Sequence, residues 1–325
     1  MPSVTRLMSS GTRMALLLVG LGLPAGAAFG VTPAPVTLLV GPETEAQRAV
    51  VQAIEQALPP KAVALQVISV EAYRASGLDP GVVPPQLLVT VGAEAAAVTL
   101  KAQPPVPTLI ALVPELTYRT LVRQHPARGK VPAVLYLDAP AARQLRLARA
   151  VLPRARRLGV VLGSESEWLD APLRVAARAE RFELVSEIVQ SEDELLPAVY
   201  RLLDRSDALL ALPDPLVVNR HTAQPLLLAA YRKRRPVIGY SRAFVRAGAL
   251  AAAYSAPEHL GRDLAERILA LLRPGTSLPR SPYPRHFAVE VNADVARALD
   301  LTPPDPAALA AGLRLQEPTG AGDTP

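Results

Sequence analysis

The sequence contains no cysteine among its 325 residues. Disulfide bridges, thiolate metal sites, a cysteine nucleophile and lipid attachment through a cysteine are therefore excluded. Aromatic residues are also scarce, at 4% of the chain, although half of the residues are hydrophobic. The apolar content is mostly Ala, Leu and Val, which is typical of buried strands flanked by alanine-rich helices. This composition indicates an α/β architecture.

The sequence also lacks the motifs of catalytic and cofactor-binding proteins. It contains no G-x-S-x-G and no Walker loop, and no G-x-G-x-x-G. Its four histidines are far apart and have neither i,i+4 partners nor acidic neighbours at metal-ligand spacing; they are His125, His221, His259 and His286. We therefore expect no enzymatic activity, no cofactor and no metal site.

The N-terminus has the pattern of an export signal over residues 1–30. Arg6 and Arg13 precede the apolar run Met14 to Leu23, and small residues follow, so that cleavage after Ala27 or Gly30 is expected. The run is short for a membrane span, although an uncleaved anchor is the alternative. With no cysteine to carry a lipid, we expect a protein that is free in the periplasm.

The charge balance is only mildly basic once that signal is removed. The net charge is +6 for the whole chain, and two of the positive charges lie in the signal. Arginine far outnumbers lysine throughout, as a compositional bias would give, so the basic clusters do not indicate nucleic-acid binding. We expect no nucleic-acid partner.

An approximate internal repeat is the most informative pattern. VTLLVGPETE at residues 36–45 returns as LGVVLGSESE at residues 158–167, which is 122 positions later. The same offset places PQLLVTVG, residues 85–92, on DALLALPD, residues 207–214. Each copy reads as strands alternating with helices, the order that produces a parallel sheet flanked by helices. The repeat therefore predicts two similar Rossmann-like lobes with a cleft between them.

In open parallel sheets, ligands bind at the carboxyl ends of the strands, where loops lead into helix N-termini. Applied to both copies, this rule selects eight candidate ligand-binding residues: Thr44, Glu94, Ser164, Ser166, Asp214, Asn219, Tyr240 and Ser241. Because the second copy has Asp214 where the first has Gly92, we expect the second lobe to supply most of the polar specificity.

Each candidate also has a structural interpretation that the sequence leaves open. Thr44, Ser164 and Ser166 are placed to cap helices, and Asn219 could do the same. Asp214, between two prolines, is either an Asx-type turn former or a ligand contact. Tyr240 and Ser241 could simply be partly buried at the rim of the sheet. A further hypothesis is that acidic residues converge to receive a cationic ligand; they are Glu43, Glu165 and Asp214.

Several blocks, in this order and spacing, resemble a known family. They are VTVGAEAA, VPTLIALVP, DALLALPDPLVVN, RPVIGYSRAFVRAGALAAAYS and FAVEVNADVARALDL. The chain resembles the ABC transporter substrate-binding proteins with the type I periplasmic-binding fold. The resemblance implies two lobes joined by three crossings that close on a small polar solute. It also implies an inner-membrane permease, or another membrane partner, and a monomeric receptor.

The resemblance suggests how the chain divides. We expect residues 31–134 plus about 243–276 in the first lobe, residues 135–242 plus about 277–303 in the second, and a flexible tail at 304–325. One departure is Ala93, followed by Glu94, where family members commonly place Thr or Ser after the glycine. This departure favours an alternative function, a two-lobed accessory or sensory periplasmic protein whose pocket has been lost or altered.

Overall fold

The computed structural model describes residues 33–42, 44–78, 84–126, 131–273 and 281–317. The predicted signal peptide and Glu43 of the predicted acidic cluster lie outside these ranges. None of the helices within them combines the length and the hydropathy of a membrane-spanning segment.

The first lobe alternates strands and helices along the chain. Its elements are β1 Ala34–Val40, α1 Glu45–Ala57, β2 Val63–Ser69, α2 Val70–Ser76, β3 Leu87–Val91, α3 Ala93–Ala102, β4 Thr108–Val113, α4 Glu115–Gln124 and β5 Ala133–Tyr136. The strands form one parallel sheet in the order β2-β1-β3-β4-β5. Every residue of β3 is buried, as expected of a central strand covered by helices on both faces.

The remainder of the chain builds mainly the second lobe. Its elements are α5 Ala141–Val151, β6 Arg157–Gly163, α6 Asp170–Ala179, β7 Glu183–Val189, α7 Glu192–Arg205, β8 Ala208–Leu210, α8 Ala223–Arg232, β9 Val237–Gly239, α9 Arg242–Arg246, β10 Ala251–Tyr254, α10 Pro257–Leu272, β11 Ala288–Val291, α11 Ala293–Ala298 and α12 Pro306–Leu315. The sheet order is β11-β10-β9-β8-β6-β7, with only the β10–β11 pair antiparallel. The predicted two-lobed α/β architecture is confirmed.

The two sheets share the strand order that the repeat predicts, but the repeated blocks are one residue out of register. Val36 of β1 pairs with Leu87, whereas the equivalent Leu158 of β6 pairs with Ala208 rather than with Leu209. Side chains alternate between the two faces of a strand, so a slip of one residue reverses which of them face a given layer of helices. The sequence match between Gly92 and Asp214 is therefore not a match in the fold.

The lobes exchange helices where the chain crosses between them. Helix α5 follows the last strand of the first sheet but packs against α6 and β10 in the second lobe. Helix α10 follows β10 of the second sheet but packs against α1 in the first lobe. The approach of α10 to α1 is so close that a Cβ added at Gly261 would lie 2.3 Å from the Cβ of Ala53. Only glycine fits at that point of the contact.

The predicted division of the chain needs two corrections. Residues 243–256 were expected in the first lobe, but they form α9 and β10, and β10 is hydrogen-bonded into the second sheet between β9 and β11. Residues 304–325 were expected to be a flexible tail, but α12 folds onto the second lobe and buries Ala310 and Leu313, whereas residues 318–325 lie outside the described ranges. In both cases pairing or apolar burial with distant parts of the chain decides the outcome.

The Gly261 contact can be tested with a matched pair of glycine substitutions. We expect Gly261→Ala to lower the free energy of unfolding by about 1–3 kcal/mol through overpacking against Ala53. Gly312→Ala in α12, where an added Cβ meets nothing within 4 Å, should instead raise it by about 0.5–1 kcal/mol. Urea unfolding followed by circular dichroism measures both. If Gly261→Ala left the free energy of unfolding unchanged or raised it, as expected for Gly312→Ala, the close contact with Ala53 would be contradicted.

Candidate functional site

The carboxyl ends of the strands in the two sheets face each other across a cleft. Helix α4 starts at the end of β4, and its side chains contact the loop that follows β6 in the second lobe. The first crossing, residues 137–140, leaves the end of β5 and leads into α5. The third crossing returns over residues 281–287, and Tyr136 donates its backbone N–H to the carbonyl of Pro282 there, at 2.7 Å. The cleft floor is therefore made by the ends of β4 and β5 and by the crossings.

Two carboxylates, Glu115 and Asp138, lie side by side on this floor. The backbone N–H of Glu115 donates to Oδ2 of Asp138, which ties the start of α4 to the first crossing. Glu115 accepts from Arg119 at 3.0 Å through Oε1 and from the hydroxyl of Tyr283 through Oε2. Asp138 has no cationic partner among the described residues. Glu115 is thus neutralised within the protein, whereas the charge of Asp138 is not.

The environment of Asp138 changes its titration. Burial raises the pKa of Asp138 to about 7, the hydrogen bond from the N–H of Glu115 opposes this, and the carboxylate of Glu115 adds to it. The residue is still partly reached by solvent. Near neutral pH the cleft therefore holds a carboxyl group poised between its two protonation states.

Three tyrosine rings pack beside these carboxylates. The ring centroids of Tyr118 and Tyr136 are 5.6 Å apart, and those of Tyr136 and Tyr283 are 5.4 Å apart in an edge-to-face arrangement. Burial, with the charge of Glu115 next in importance, raises the pKa of Tyr136 to about 12. Tyr240 lies across from them at the end of β9, where burial and then the charge of Asp138 raise its pKa. The phenols therefore remain neutral hydrogen-bonding groups.

A set of exposed contacts, here called the interlobe clasp, joins α4 to the second lobe. The clasp consists of Arg119, Thr120 and Arg123 in the first lobe and Glu165 and Trp168 in the second. Arg123 pairs with Glu165, and the guanidinium of Arg119 lies 3.8 Å from the centroid of the Trp168 ring. The side chains of Arg123 and Glu165 are 58% and 61% exposed, so the ion pair is a weak one.

Most of the predicted site residues have structural roles in helix caps and loops. Thr44 forms a capping box with Gln47 at the start of α1, and Ser241 caps α9 by accepting from the N–H of Phe244 at 3.2 Å. Asn219 accepts from the N–H groups of His221 and Thr222 and donates to Glu192, so its side chain shapes the turn before α8.

Asp214 and Ser166 form a buried bridge between the loops after β8 and β6. Asp214 is 3% exposed and accepts from the N–H of Gly163 at 2.8 Å, from the N–H of Leu216 at 2.9 Å and from the hydroxyl of Ser166. Its carboxylate is thereby satisfied inside the second lobe. The predicted convergence of Asp214 and Glu165 is not found, since Glu165 points to Arg123 instead.

The remaining predicted residues lie at the cleft rim. Glu94 is in the first turn of α3 and pairs with Arg74 of α2 at 2.9 Å. Ser164 is exposed in the loop after β6, and Tyr240 stacks on Phe244 with ring centroids 5.5 Å apart. Of the eight residues, Tyr240 is the one whose side chain the electrostatics connect to Asp138.

Sequence reasoning missed Asp138, although the sequence contained a signal for it. YLDAP, residues 136–140, places an aspartate after a strand and two residues before a proline, a pattern close to that of Asp214 in LPDP. Asp138 and Asp214 differ in the hydrogen-bond partners that the tertiary structure gives them. The loop after β6 fills the hydrogen-bonding capacity of Asp214, whereas Asp138 receives a single N–H and keeps Oδ1 accessible.

The structure also assembles charged groups at the third crossing that spacing along the sequence did not reveal. Asp263, Glu266 and His286 have potential ligand atoms within 4.8 Å of one another. Asp263 accepts the backbone N–H groups of Arg285 and His286, and the guanidinium of Arg285 pairs with Glu266. These carboxylates therefore fasten the crossing to α10.

The chain matches the sequence model described as ABC transporter substrate binding protein over residues 83–307, more than half of its length. It belongs to this family. No curated protein sequence matches the chain significantly. Similarity to solved structures is confined to the fold, because the sequence identities are low.

Three such structures illustrate this likeness. A ligand-free, open substrate-binding protein with adhesive properties from Clostridium difficile is 19% identical with a TM-score of 0.61, covering 84% of this chain and 96% of its own. An ABC domain in complex with L-Trp from Streptococcus pneumoniae is 17% identical with a TM-score of 0.55 and the same coverages. A periplasmic ribose ABC transporter protein from Conexibacter woesei is 15% identical with a TM-score of 0.53, covering 83% and 96%.

The fold of this substrate-binding protein is thus the type I periplasmic-binding fold, as the resemblance implied. Membership of the family gives it a small solute as ligand and an ABC permease in the membrane as partner. The family binds substrates rather than transforming them.

The raised pKa of Asp138 predicts a specific pH dependence of stability. Between about pH 4 and pH 7 the folded protein holds a proton on Asp138 that the unfolded chain has lost, so this group lowers the free energy of unfolding as the pH rises. We expect Asp138→Asn to be more stable relative to the wild type at pH 8 than at pH 4, measured by urea unfolding. Asp300→Asn, at a residue whose side chain is 85% exposed, is the control. Equal effects at both pH values would contradict the assignment.

Proposed function

We propose that this protein is the exported receptor of an ABC uptake system, binding a small polar solute in the cleft and presenting the closed form to an inner-membrane permease. It works as a monomer and performs no reaction on the solute. The N-terminal pattern at residues 1–30 and the absence of cysteine support a mature protein free in the periplasm.

The observation that carries this proposal is the polar floor of the cleft. Asp138 keeps Oδ1 without a hydrogen-bond partner among the described residues, at the junction of both lobes with the first crossing. A buried or half-buried polar group without a partner is costly unless something binds it. A solute that bonds to this group and to Tyr240 would contact both lobes and would therefore stabilise the closed form over the open one.

The interlobe clasp is weak enough for a solute to control closure. An exposed ion pair contributes about 0–1 kcal/mol, and an exposed cation–π contact about 0.5–1 kcal/mol. Together they amount to about 0.5–2 kcal/mol, which biases the lobes towards closure without locking them. At one hundred times its dissociation constant, a solute that binds only the closed form favours closure by about 2.7 kcal/mol, which exceeds this bias.

The alternative, an accessory or sensory protein without a working pocket, is favoured by one observation. The polar residues of the second lobe that were expected to bind a solute are occupied by bonds within the protein, chiefly Asp214, Ser166 and Asn219. This alternative predicts that no solute stabilises the protein.

A solute screen with a shape measurement separates the two functions. At one hundred times its dissociation constant, a bound solute stabilises the fold by about 2.7 kcal/mol, which corresponds to a rise in Tm of roughly 5 °C. We expect such a solute also to decrease the radius of gyration measured by small-angle X-ray scattering. A broad panel that changes neither quantity would favour the accessory function.

Weakening the interlobe clasp should shift the free protein towards the open form. We expect Glu165→Gln combined with Trp168→Ala to increase the radius of gyration without solute and to weaken solute binding by about three- to tenfold, since closure loses about 1 kcal/mol. Glu183→Gln combined with Tyr200→Ala, at exposed positions of the second lobe, is the matched control. An unchanged radius of gyration in the clasp variant would show that the contacts do not hold the lobes.

A further inference from the structure

The cleft also carries information about the chemical class of its solute, and this inference rests on the proposed solute-binding function. Every helix of the first lobe between β1 and β5 has a glutamate in its first turn. These residues are Glu45 in α1, Glu71 in α2, Glu94 in α3 and Glu115 in α4. Helix N-termini attract anions, but a carboxylate in the first turn opposes the approach of a second negative charge there. The first-lobe rim is therefore poorly suited to an anionic group of a solute.

The arginines of α4 do not compensate for this. Arg119 is held by Glu115, and Arg123 is held by Glu165 of the second lobe. A carboxylate on a solute would have to displace one of these pairs. Asp138, in contrast, has no positive partner among the described residues, so its ionised form places an unbalanced negative charge on the cleft floor. A carboxylate in a half-buried position is stabilised by a cation that binds beside it.

A second, independent observation is the state of the tyrosine hydroxyls. Tyr118 and Tyr136 are 8% and 7% exposed, yet in the described part of the chain neither hydroxyl has a hydrogen-bond partner. Neither hydroxyl oxygen is fully enclosed, so the small exposed part of each residue includes its hydroxyl. The same holds for the hydroxyl of Tyr240 in the second lobe. Rings buried with open hydroxyls are typical of a surface that awaits a hydrogen-bonding ligand.

We propose that the cleft selects a small organic cation, a protonated amine that carries no carboxylate, with its ammonium group bound by Asp138 and by the hydroxyls of Tyr136 and Tyr240. An ammonium group has three N–H donors and no acceptor. One carboxylate oxygen and two phenol oxygens are three acceptors, so the donor count is matched. Because the acceptors come from the first crossing and from both lobes, the amine would also link closure to binding.

The test is calorimetric titration of the mature protein with solutes of one shape and different charge. Phenylethylamine, 2-phenylethanol, phenylalanine and 3-phenylpropionate form one such series, and 1,4-diaminobutane with 1,4-butanediol forms an aliphatic pair. We expect at least one of the two amines to bind, and to bind at least about tenfold more tightly than its alcohol, because hydrogen bonds to charged groups are the stronger ones. We expect no binding of 3-phenylpropionate.

Variants assign the effect to the named groups. Asp138→Asn, which keeps an acceptor for the N–H of Glu115, should weaken amine binding at least about tenfold while leaving the weak alcohol binding within twofold. Tyr136→Phe removes one oxygen atom and should weaken amine binding by about two- to tenfold, which keeps the proposal testable if the aspartate variant folds poorly. Asp300→Asn and Tyr200→Phe are matched controls at exposed sites and should not change it.

The amine class can be overturned without overturning the proposed receptor function. If an alcohol or carboxylate binds more tightly than the amines and compacts the protein in scattering, the amine class is overturned while the receptor function stands. If amine binding is unaffected by both Asp138→Asn and Tyr136→Phe, the named site is overturned. If no probe binds, the amine class is overturned, and the broad solute panel then decides whether the receptor function falls with it.

Discussion

The exchange of helices between the lobes is the constraint on which the rest of the structure depends. Because α5 and α10 each pack on the lobe opposite to the strand they follow, the chain must cross at the carboxyl edges of both sheets. The contact between Gly261 and Ala53 fixes α10 on the first lobe, and Asp263 on the same helix holds the backbone of the third crossing. The position of the cleft follows from these contacts.

Helix α5 anchors β10, the strand from which the chain returns to the first lobe, and also contacts the third crossing. Gln144 bonds both backbone groups of Ala253 in β10, and Arg143 donates to the carbonyl of Pro284 at 2.8 Å. Both side chains are 2% exposed, so these bonds are shielded from water and costly to break. By comparison, the clasp contacts lie in solvent. Motion between the lobes is therefore expected at the short segments next to these anchors, with the clasp opening and closing.

The sequence predicted the class of fold because strand and helix periodicity is a local property. The same strand order in the two sheets follows from repeated strand–helix units that each pack in the same way. The register between the two copies could not be predicted in the same way. The apolar blocks 85–92 and 207–214 match about equally well when one of them is shifted by one residue. This is because strands buried on both faces carry Leu, Val and Ala at successive positions. The placement of β10 and of α12 depended on pairing and burial between distant segments.

The site was less predictable than the fold, and Asp138 and Asp214 show why. Both are aspartates that follow buried strands and precede prolines, so local sequence treats them alike. The carboxylate of Asp214 accepts from the hydroxyl of Ser166 and from the N–H of Gly163, which are more than 45 residues away in the sequence. Oδ1 of Asp138, beside Glu115, has no such partner among the described residues. Whether a polar group is free is decided by partners that only the tertiary structure supplies.

The exchanged helices also have a consequence for how the protein is made. The first lobe is complete only when α10, ending at Leu272, has been synthesised, and the second requires β11 and α12, whose neighbour Glu317 pairs with the buried Arg143 of α5. Such long-range contacts make folding slow and late. The first lobe therefore cannot reach its final form until the chain has been made through Leu272, and the second cannot do so until Glu317 has been made.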